Sequence, residues 1–462
     1  MKGIIMSVSV SKEEERLFEQ TLGAARDTRV FAAEEGIRHR AAQIFEPVFG
    51  SQPAMIVADR NTFAAAGRDV VDSFRRANRA CTEPFVFSTN ISADYQHVEA
   101  IEAALRPGRA IPVAVGSGTI NDLTKLASHR AERQYMVVAT AASMDGYTAF
   151  GAAITRNGAK QTMQCPGPLV ALADLEVIGR APKGMNSSGY ADLLAKIAAG
   201  ADWILAEAAG EEQIIPLAWH AVQDFLRSWV GSPEGVAQND PACIRHLLNG
   251  LVMSGAAMQI ALSSRPASGA EHQFSHLWEM QHVSYNDYTP SHGVKVGIGT
   301  LAAVALYEEL FTRDFTNFDI GAAVRAWPAW ESEQARIAEL FGAGPVATRA
   351  IEETQAKYVS REKLAGQLTD LCAAWTGLRE RLAAQLIPFV ELRRMLRAAG
   401  CAFDPAQIGI SRSRLRLSYR QCCYMRRRFT VLDFAQRTGL LDSCLDNLFS
   451  PGGAWSAEGE EH

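Results

Sequence analysis

The chain has 462 residues, 48% hydrophobic and 21% charged, with 46 Lys and Arg against 51 Asp and Glu for a formal net charge of −5. That length exceeds what one hydrophobic core ordinarily fills, so two domains are expected; the near-balanced charge points away from nucleic acid, and the absence of about 18 uninterrupted apolar residues points away from a membrane span. The eight cysteines, Cys81, Cys165, Cys243, Cys372, Cys401, Cys422, Cys423 and Cys444, contain no C-x-x-C pair and read as reduced thiols.

In chain order, Met1-Lys2-Gly3-Ile4-Ile5-Met6-Ser7 lacks the apolar run of a secretory signal, so a cytoplasmic location is expected. Residues 1–180 then alternate short apolar runs with helical stretches, the rhythm of a parallel sheet with crossover helices. The runs are Met55-Ile56-Val57-Ala58, Pro84-Phe85-Val86-Phe87, Ile111-Pro112-Val113-Ala114-Val115 and Tyr135-Met136-Val137-Val138-Ala139. Three of them end in small or polar residues: Asp59-Arg60-Asn61-Thr62, Gly116-Ser117-Gly118 and Thr140-Ala141-Ala142-Ser143. Open α/β sheets bind ligands at such strand ends. Gly116-Ser117-Gly118-Thr119-Ile120-Asn121-Asp122 leads straight into a predicted helix, whose N-terminus would favour a pyrophosphate. The third glycine of G-x-G-x-x-G is absent, and a glycine turn joining strand to helix is often only a turn. Asp59 suits a ribose diol and would repel a 2′-phosphate, favouring NAD over NADP; a turn or a helix cap is the plainer reading.

After Pro182 the periodicity becomes helical, with long helices predicted over 188–208, 214–230 and 241–263. Residues 181–455 are expected to form a helical domain and 456–462 a disordered tail. Arg393, Arg394, Arg397, Arg412, Arg414, Arg416, Arg420, Arg426, Arg427 and Arg428 make the end of the chain locally basic, but interleaved acids and apolar periodicity favour a solvated or interdomain helical face over a nucleic-acid surface.

Four of the ten histidines fall between 272 and 292. Residues four apart share a helix face, so His272 and His276 in Glu271-His272-Gln273-Phe274-Ser275-His276 point the same way, and His292 could return from the next element to meet them. Two imidazoles and a carboxylate would hold a first-row cation with coordination positions open for chemistry. The alternative is ordinary polar residues on an amphipathic helix.

Taken with Gly118-Thr119-Ile120-Asn121-Asp122, Thr140-Ala141-Ala142-Ser143-Met144-Asp145-Gly146-Tyr147, Gly189-Tyr190-Ala191-Asp192-Leu193-Leu194-Ala195-Lys196 and His292-Gly293-Val294-Lys295-Val296-Gly297, that histidine segment resembles the sn-glycerol-1-phosphate dehydrogenases. These share a superfamily with glycerol dehydrogenase, the iron-containing alcohol dehydrogenases and 3-dehydroquinate synthase. The resemblance runs from about Val57 to about Gly439. It implies an α/β Rossmann-like dinucleotide-binding domain followed by an all-α, dehydroquinate synthase-like domain, with the active site in the cleft between them.

On that resemblance Asp192, His272 and His292 are the metal ligands, and His276, Asp145 and Asp192 contact substrate. Gly118, Thr119, Ile120, Asn121 and Asp122 bind the dinucleotide together with Thr140, Ala141, Ala142 and Ser143, with Asp59 on the adenosine side. The implied cofactors are NAD, with NADP as the alternative, and one divalent metal, zinc first and nickel or iron next. The implied substrate is a small phosphorylated polyol or ketose, converted between dihydroxyacetone phosphate and sn-glycerol 1-phosphate. Another polyol or polyol phosphate is the near alternative and a dehydroquinate synthase-like lyase the distant one. A homodimer is expected. Lys160, Arg265 and Lys295 are candidates for the substrate phosphate, and Lys196 for pairing with Asp192 or another acid on its helix. Ala149 stands where family members often carry serine, so a nucleotide contact is expected to be lost or moved to Thr148.

Overall fold

The computed structural model describes residues 4–6, 11–88, 91–156, 159–286 and 288–456, leaving out the side chains of residues 4–6, 159 and 160. The expected disordered tail therefore lies outside the described residues except for Ser456, as does the side chain of Lys160. The chain divides into two compact units: Met1–Leu193 with Pro216–Pro266, and Leu194–Ile215 with Ala267–His462.

The first unit is built on the strands β1 (Ile4–Met6), β2 (Val30–Glu34), β3 (Ala54–Asp59), β4 (Phe85–Phe87), β5 (Ile111–Gly116), β6 (Met136–Ala139) and β9 (Val170–Asp174), with a hairpin of β7 (Ala152–Arg156) and β8 (Ala159–Met163). The seven-stranded sheet has the order β1-β2-β9-β6-β5-β3-β4, and every pairing in it is parallel. The period of two sorts β3 between two cores. Ala54, Ile56 and Ala58 face Ile44, Phe45 and Phe74 on one side of the sheet, while Met55 and Val57 face Val98, Ile101, Leu123 and Leu126 on the other.

The four apolar runs read from sequence are β3 to β6. β2 and β9 escaped notice because Val30-Phe31-Ala32-Ala33-Glu34 and Val170-Ala171-Leu172-Ala173-Asp174 are rich in alanine, a weak strand former; they are strands through pairing with each other and their sheet neighbours. Three helical predictions need correction. The stretch 188–208 is two helices, Lys183–Leu194 and Lys196–Ala208, separated at Ala195; 214–230 is broken into Pro216–Gln223 and Leu226–Trp229; and 241–263 stops at Ala261, with Leu262 in the left-handed region at φ 49°.

Helices drawn from 216–266 complete the first unit. The Glu14 carboxylate accepts from Trp229 Nε1 at 2.8 Å and Asn249 Nδ2 at 3.1 Å, and Gln259 Oε1 accepts from the Asp27 and Thr28 amides.

In the second unit all regular elements among the described residues are helices. Asp202, fully buried, accepts from the Ala270 amide at 2.6 Å, the Val431 amide at 2.8 Å and the Tyr307 hydroxyl at 2.7 Å. One carboxylate thus caps the Ala270–Met280 helix and ties it to two other segments. Asp202→Ala would strand three donors away from water, each costing about 1–3 kcal/mol, so a stability loss of about 3 kcal/mol or more is expected in urea unfolding. A midpoint close to wild type would refute the staple. No helix among the described residues is long and apolar enough to cross a membrane.

Candidate active site

In the first unit, parallel register sets the carboxyl ends of β3, β5 and β6 side by side, since β5 pairs with both neighbours. Asp59, Gly116-Ser117-Gly118 and Thr140-Ala141-Ala142-Ser143 therefore share one edge of the sheet, the ligand-binding edge of open α/β folds. Ser117 stands at the N-cap position of the Gly118–Arg130 helix without a side-chain capping hydrogen bond. The first-turn N–H groups of any helix lack intrahelical partners and suit an anion. Gly116 has to be glycine because a Cβ there would collide with the branched Ile120 side chain.

The five residues from Gly118 to Asp122 do different work. Gly118 and Thr119 stay partly exposed at the loop, whereas Ile120 is in the core. Asn121 is buried, donating to the Gly146 carbonyl at 3.2 Å and accepting from the Tyr135 hydroxyl at 3.1 Å. Asp122 accepts from the Ala153 amide at 3.2 Å. Lys125, with its ammonium on the carbonyls of Gly146, Ala149 and Gly151 at 2.8–3.0 Å, finishes this clamp on the segment 145–153. Asn121 and Asp122 thus spend hydrogen bonds on shaping the loop that carries Asp145. Asp59 makes a reciprocal capping box with Thr62, the plainer role open to it.

Asp192 lies near the end of the Lys183–Leu194 helix, fully buried, and accepts the Asp145 amide at 3.0 Å on Oδ2. Asp145 Oδ2 in turn accepts from the Ser254 hydroxyl at 3.0 Å. Gly189 explains its own place in the motif: a Cβ would run into the Ala142 carbonyl, so glycine lets this helix pack directly on the Thr140–Ser143 backbone. Asn186, one turn earlier, accepts the Ala142 amide at 3.0 Å. Thr148 donates to the Val252 carbonyl at 2.9 Å from a fully buried site, so its hydroxyl serves the scaffold.

In the second unit, His272, His276 and His292 come together. Ring centroids are 5.3 Å apart for His272 and His292, 5.9 Å for His276 and His292, and 6.1 Å for His272 and His276. The first two residues share a face of the Ala270–Met280 helix, and His292 opens the neighbouring His292–Phe311 helix. Gly299 permits this pairing, because a Cβ there would strike the Glu271 backbone.

Each of the two end histidines has its Nδ1 against a carboxylate. His272 Nδ1 lies 2.8 Å from Glu271 Oε1, and His292 Nδ1 lies 3.0 Å from Glu279 Oε1. A partner on Nδ1 sets the ring's orientation and tautomer and leaves Nε2 to act. Glu279 also lies 3.5 Å from His276 Nδ1 and 3.6 Å from the Lys295 ammonium. Burial, reinforced by the positive charge of Arg426 and only partly opposed by Glu279, pushes the His276 pKa down to about 3. Its ring is neutral at physiological pH, suited to hydrogen bonding more than to delivering a stored proton. Glu279 went unread in the sequence, although its spacing of three from His276 on a helix was the available signal. Of the phosphate candidates, Lys295 is buried beside Glu279 and Arg265 is buried in the first unit.

Residues 33–182 match the family model described as iron-containing alcohol dehydrogenase. Among solved structures, a probable glycerol dehydrogenase from Sinorhizobium meliloti superposes with a TM-score of 0.57 at 15% identity, covering 90% of this chain and 96% of that one. Glycerol dehydrogenase from Schizosaccharomyces pombe gives 0.56 at 15%, covering 90% and 89%. These establish the fold, an α/β dinucleotide-binding type joined to helices as in the dehydroquinate synthase-like proteins. Closer in sequence are three proteins named NAD(P)+ glycerol-1-phosphate dehydrogenase. That of Halalkalibacterium halodurans is 34% identical over 57% of this chain and 67% of its own length, and that of Pyrococcus furiosus is 33% identical over 56% and 72%. That of Geobacillus thermodenitrificans is 28% identical over 82% and 85%. With identities of 33% and 34% reaching across two thirds or more of two such relatives, the chain belongs to the glycerol-1-phosphate dehydrogenase family of NAD(P)-linked oxidoreductases.

Proposed function

We propose that this enzyme interconverts dihydroxyacetone phosphate and sn-glycerol 1-phosphate using NAD and one divalent cation held by Asp192, His272 and His292. The observation that carries the reading is the pair of histidines whose Nδ1 atoms each lie against a carboxylate, Glu271 for His272 and Glu279 for His292, the arrangement that orients an imidazole as a metal ligand. One carboxylate and two neutral imidazoles suit a catalytic cation, for which zinc is proposed and which nickel or iron would also fit. When bound, the cation supplies Lewis acidity to the substrate's ketone or alcohol oxygen and the nicotinamide supplies or accepts hydride.

The chain's own residues do the positioning. Asp145 orients a substrate hydroxyl while its amide holds Asp192 in place. His276, neutral, exchanges a hydrogen bond with a substrate hydroxyl. Gly118, Thr119 and the segment Thr140–Ser143 carry the dinucleotide, and the Asp59 carboxylate favours NAD over NADP by opposing a 2′-phosphate.

The deciding assay is NADH oxidation by purified, metal-loaded protein given dihydroxyacetone phosphate, with unphosphorylated dihydroxyacetone and a chelator-treated sample alongside. Turnover that needs the phosphate, stops with the chelator and yields the 1-phosphate enantiomer is expected. Absence of turnover with a full complement of metal would overturn the substrate and leave the fold and family standing.

A further inference from the structure

The segment that carries Asp145 lies against the Pro241–Ala261 helix of the same unit, which holds it through Val252, Ser254, Gly255 and Gln259. The Val252 carbonyl accepts the Thr148 hydroxyl at 2.9 Å, Gln259 Nε2 donates to the Thr148 carbonyl, and Ser254 donates to Asp145 Oδ2 at 3.0 Å. Gly255 lets the two backbones meet, since a Cβ there would lie 2.8 Å from the Asp145 carbonyl oxygen and 2.9 Å from the Ala149 nitrogen. From the Gly118–Arg130 helix, Asn121 and Lys125 both donate to the Gly146 carbonyl. The backbone of residues 145–149 is therefore held by two helices, and the Asp145 amide on Asp192 Oδ2 secures it again.

The carboxylate needs its own restraint. A fixed backbone does not set the rotation of an aspartate about its last side-chain bond, because that torsion is broad and roughly two-fold. Ser254 supplies the restraint. It is fully buried in the middle of its helix, where a hydroxyl can turn back to the carbonyl four residues earlier, as those of Ser128 and Thr300 do here at 2.6 Å and 2.9 Å. The Ser254 hydroxyl instead leaves its own helix and donates to a carboxylate 109 positions away in sequence. A hydrogen bond to an ionised acceptor is roughly twice as strong as one between neutral groups, enough to favour one rotation of the carboxylate over the others.

We propose that Ser254 is a positioning residue, which holds the Asp145 carboxylate in the rotation that meets the substrate hydroxyl and so acts on the reaction through Asp145. This rests on the substrate role given to Asp145 above. Wild type, Ser254→Ala, Asp145→Ala and the double variant would be compared as metal-loaded enzyme. The quantities measured are kcat/KM with dihydroxyacetone phosphate and the affinity for sn-glycerol 1-phosphate by titration calorimetry, beside the KM for NADH, metal content and thermal unfolding. Ser254→Ala should lower kcat/KM by roughly tenfold to thirtyfold, the size of one hydrogen bond to a charged group, and weaken the affinity with it, while the KM for NADH and the metal content stay as in wild type. In the Asp145→Ala background the same substitution should cost nothing further, because the group through which it acts is gone. A loss that recurs at full size in that background, or wild-type values of both quantities in Ser254→Ala, would overturn the proposal. If Ser254→Ala does not fold, Ser254→Cys, close in shape but a weak donor, takes its place in the same cycle. Wild type that neither binds sn-glycerol 1-phosphate nor turns over dihydroxyacetone phosphate would instead overturn the reaction.

Discussion

His292→Ala is expected to strip the enzyme of its cation and lower kcat/KM by roughly a thousandfold, the upper end of what removing one electrostatic stabiliser costs. The fold should survive. His292 is the first residue of its helix and its side chain is 29% exposed, so the truncation opens little cavity and breaks no intrahelical bond. His272→Ala should have the same effect on metal and activity at a somewhat larger cost in stability, because that ring is buried. Elemental analysis of gel-filtered protein, read beside thermal unfolding, separates loss of the ion from loss of the fold. A variant with one bound ion per chain and wild-type turnover would sink the ligand assignment.

Glu279→Gln tests the layer behind the ligands. The substitution keeps the shape and removes the charge from a carboxylate that serves His292 at 3.0 Å, His276 at 3.5 Å and Lys295 at 3.6 Å. A carboxylate on Nδ1 raises the basicity of the opposite nitrogen and holds the ring in one tautomer, whereas an amide can present either its oxygen or its NH2 group. Metal affinity should therefore fall by roughly ten- to a hundredfold, measured by competition with a chelator of known strength. Glu271→Gln should act similarly through His272, although Glu271 also accepts the Gly269 amide at 2.6 Å and so contributes to helix capping. Unchanged affinity in Glu279→Gln would mean that the position of His292 is set by its backbone alone.

Much of the site was legible because its signals are local. A strand running into glycine and a pair of histidines four apart on a helix are both properties of short windows, governed by backbone geometry. The same locality explains β3, β5 and β6, whose apolar runs are continuous because strands buried on both faces need no alternation, whereas β4 is the sheet's edge strand and leaves Val86 exposed. The family resemblance then assigned His272 and His292 as ligands and His276 to the substrate, a choice that spacing alone left open.

Other features depended on partners far away in the chain. Nothing near Glu14 announces that it will meet Trp229 and Asn249, or that helices from 216–266 complete the unit built on the sheet. Asn121 and Asp122 look like open polar groups beside a glycine loop, yet their hydrogen bonds are taken by Gly146, Tyr135 and Ala153. The sequence by itself determined the kind of the elements with strong local patterns, β3 to β6 among them, together with the glycine positions and the donor types, since these follow from chain geometry within a turn or a strand. Which donors are buttressed and which are consumed by the scaffold were decided only by the tertiary structure, because each depends on long-range packing that places one group against another.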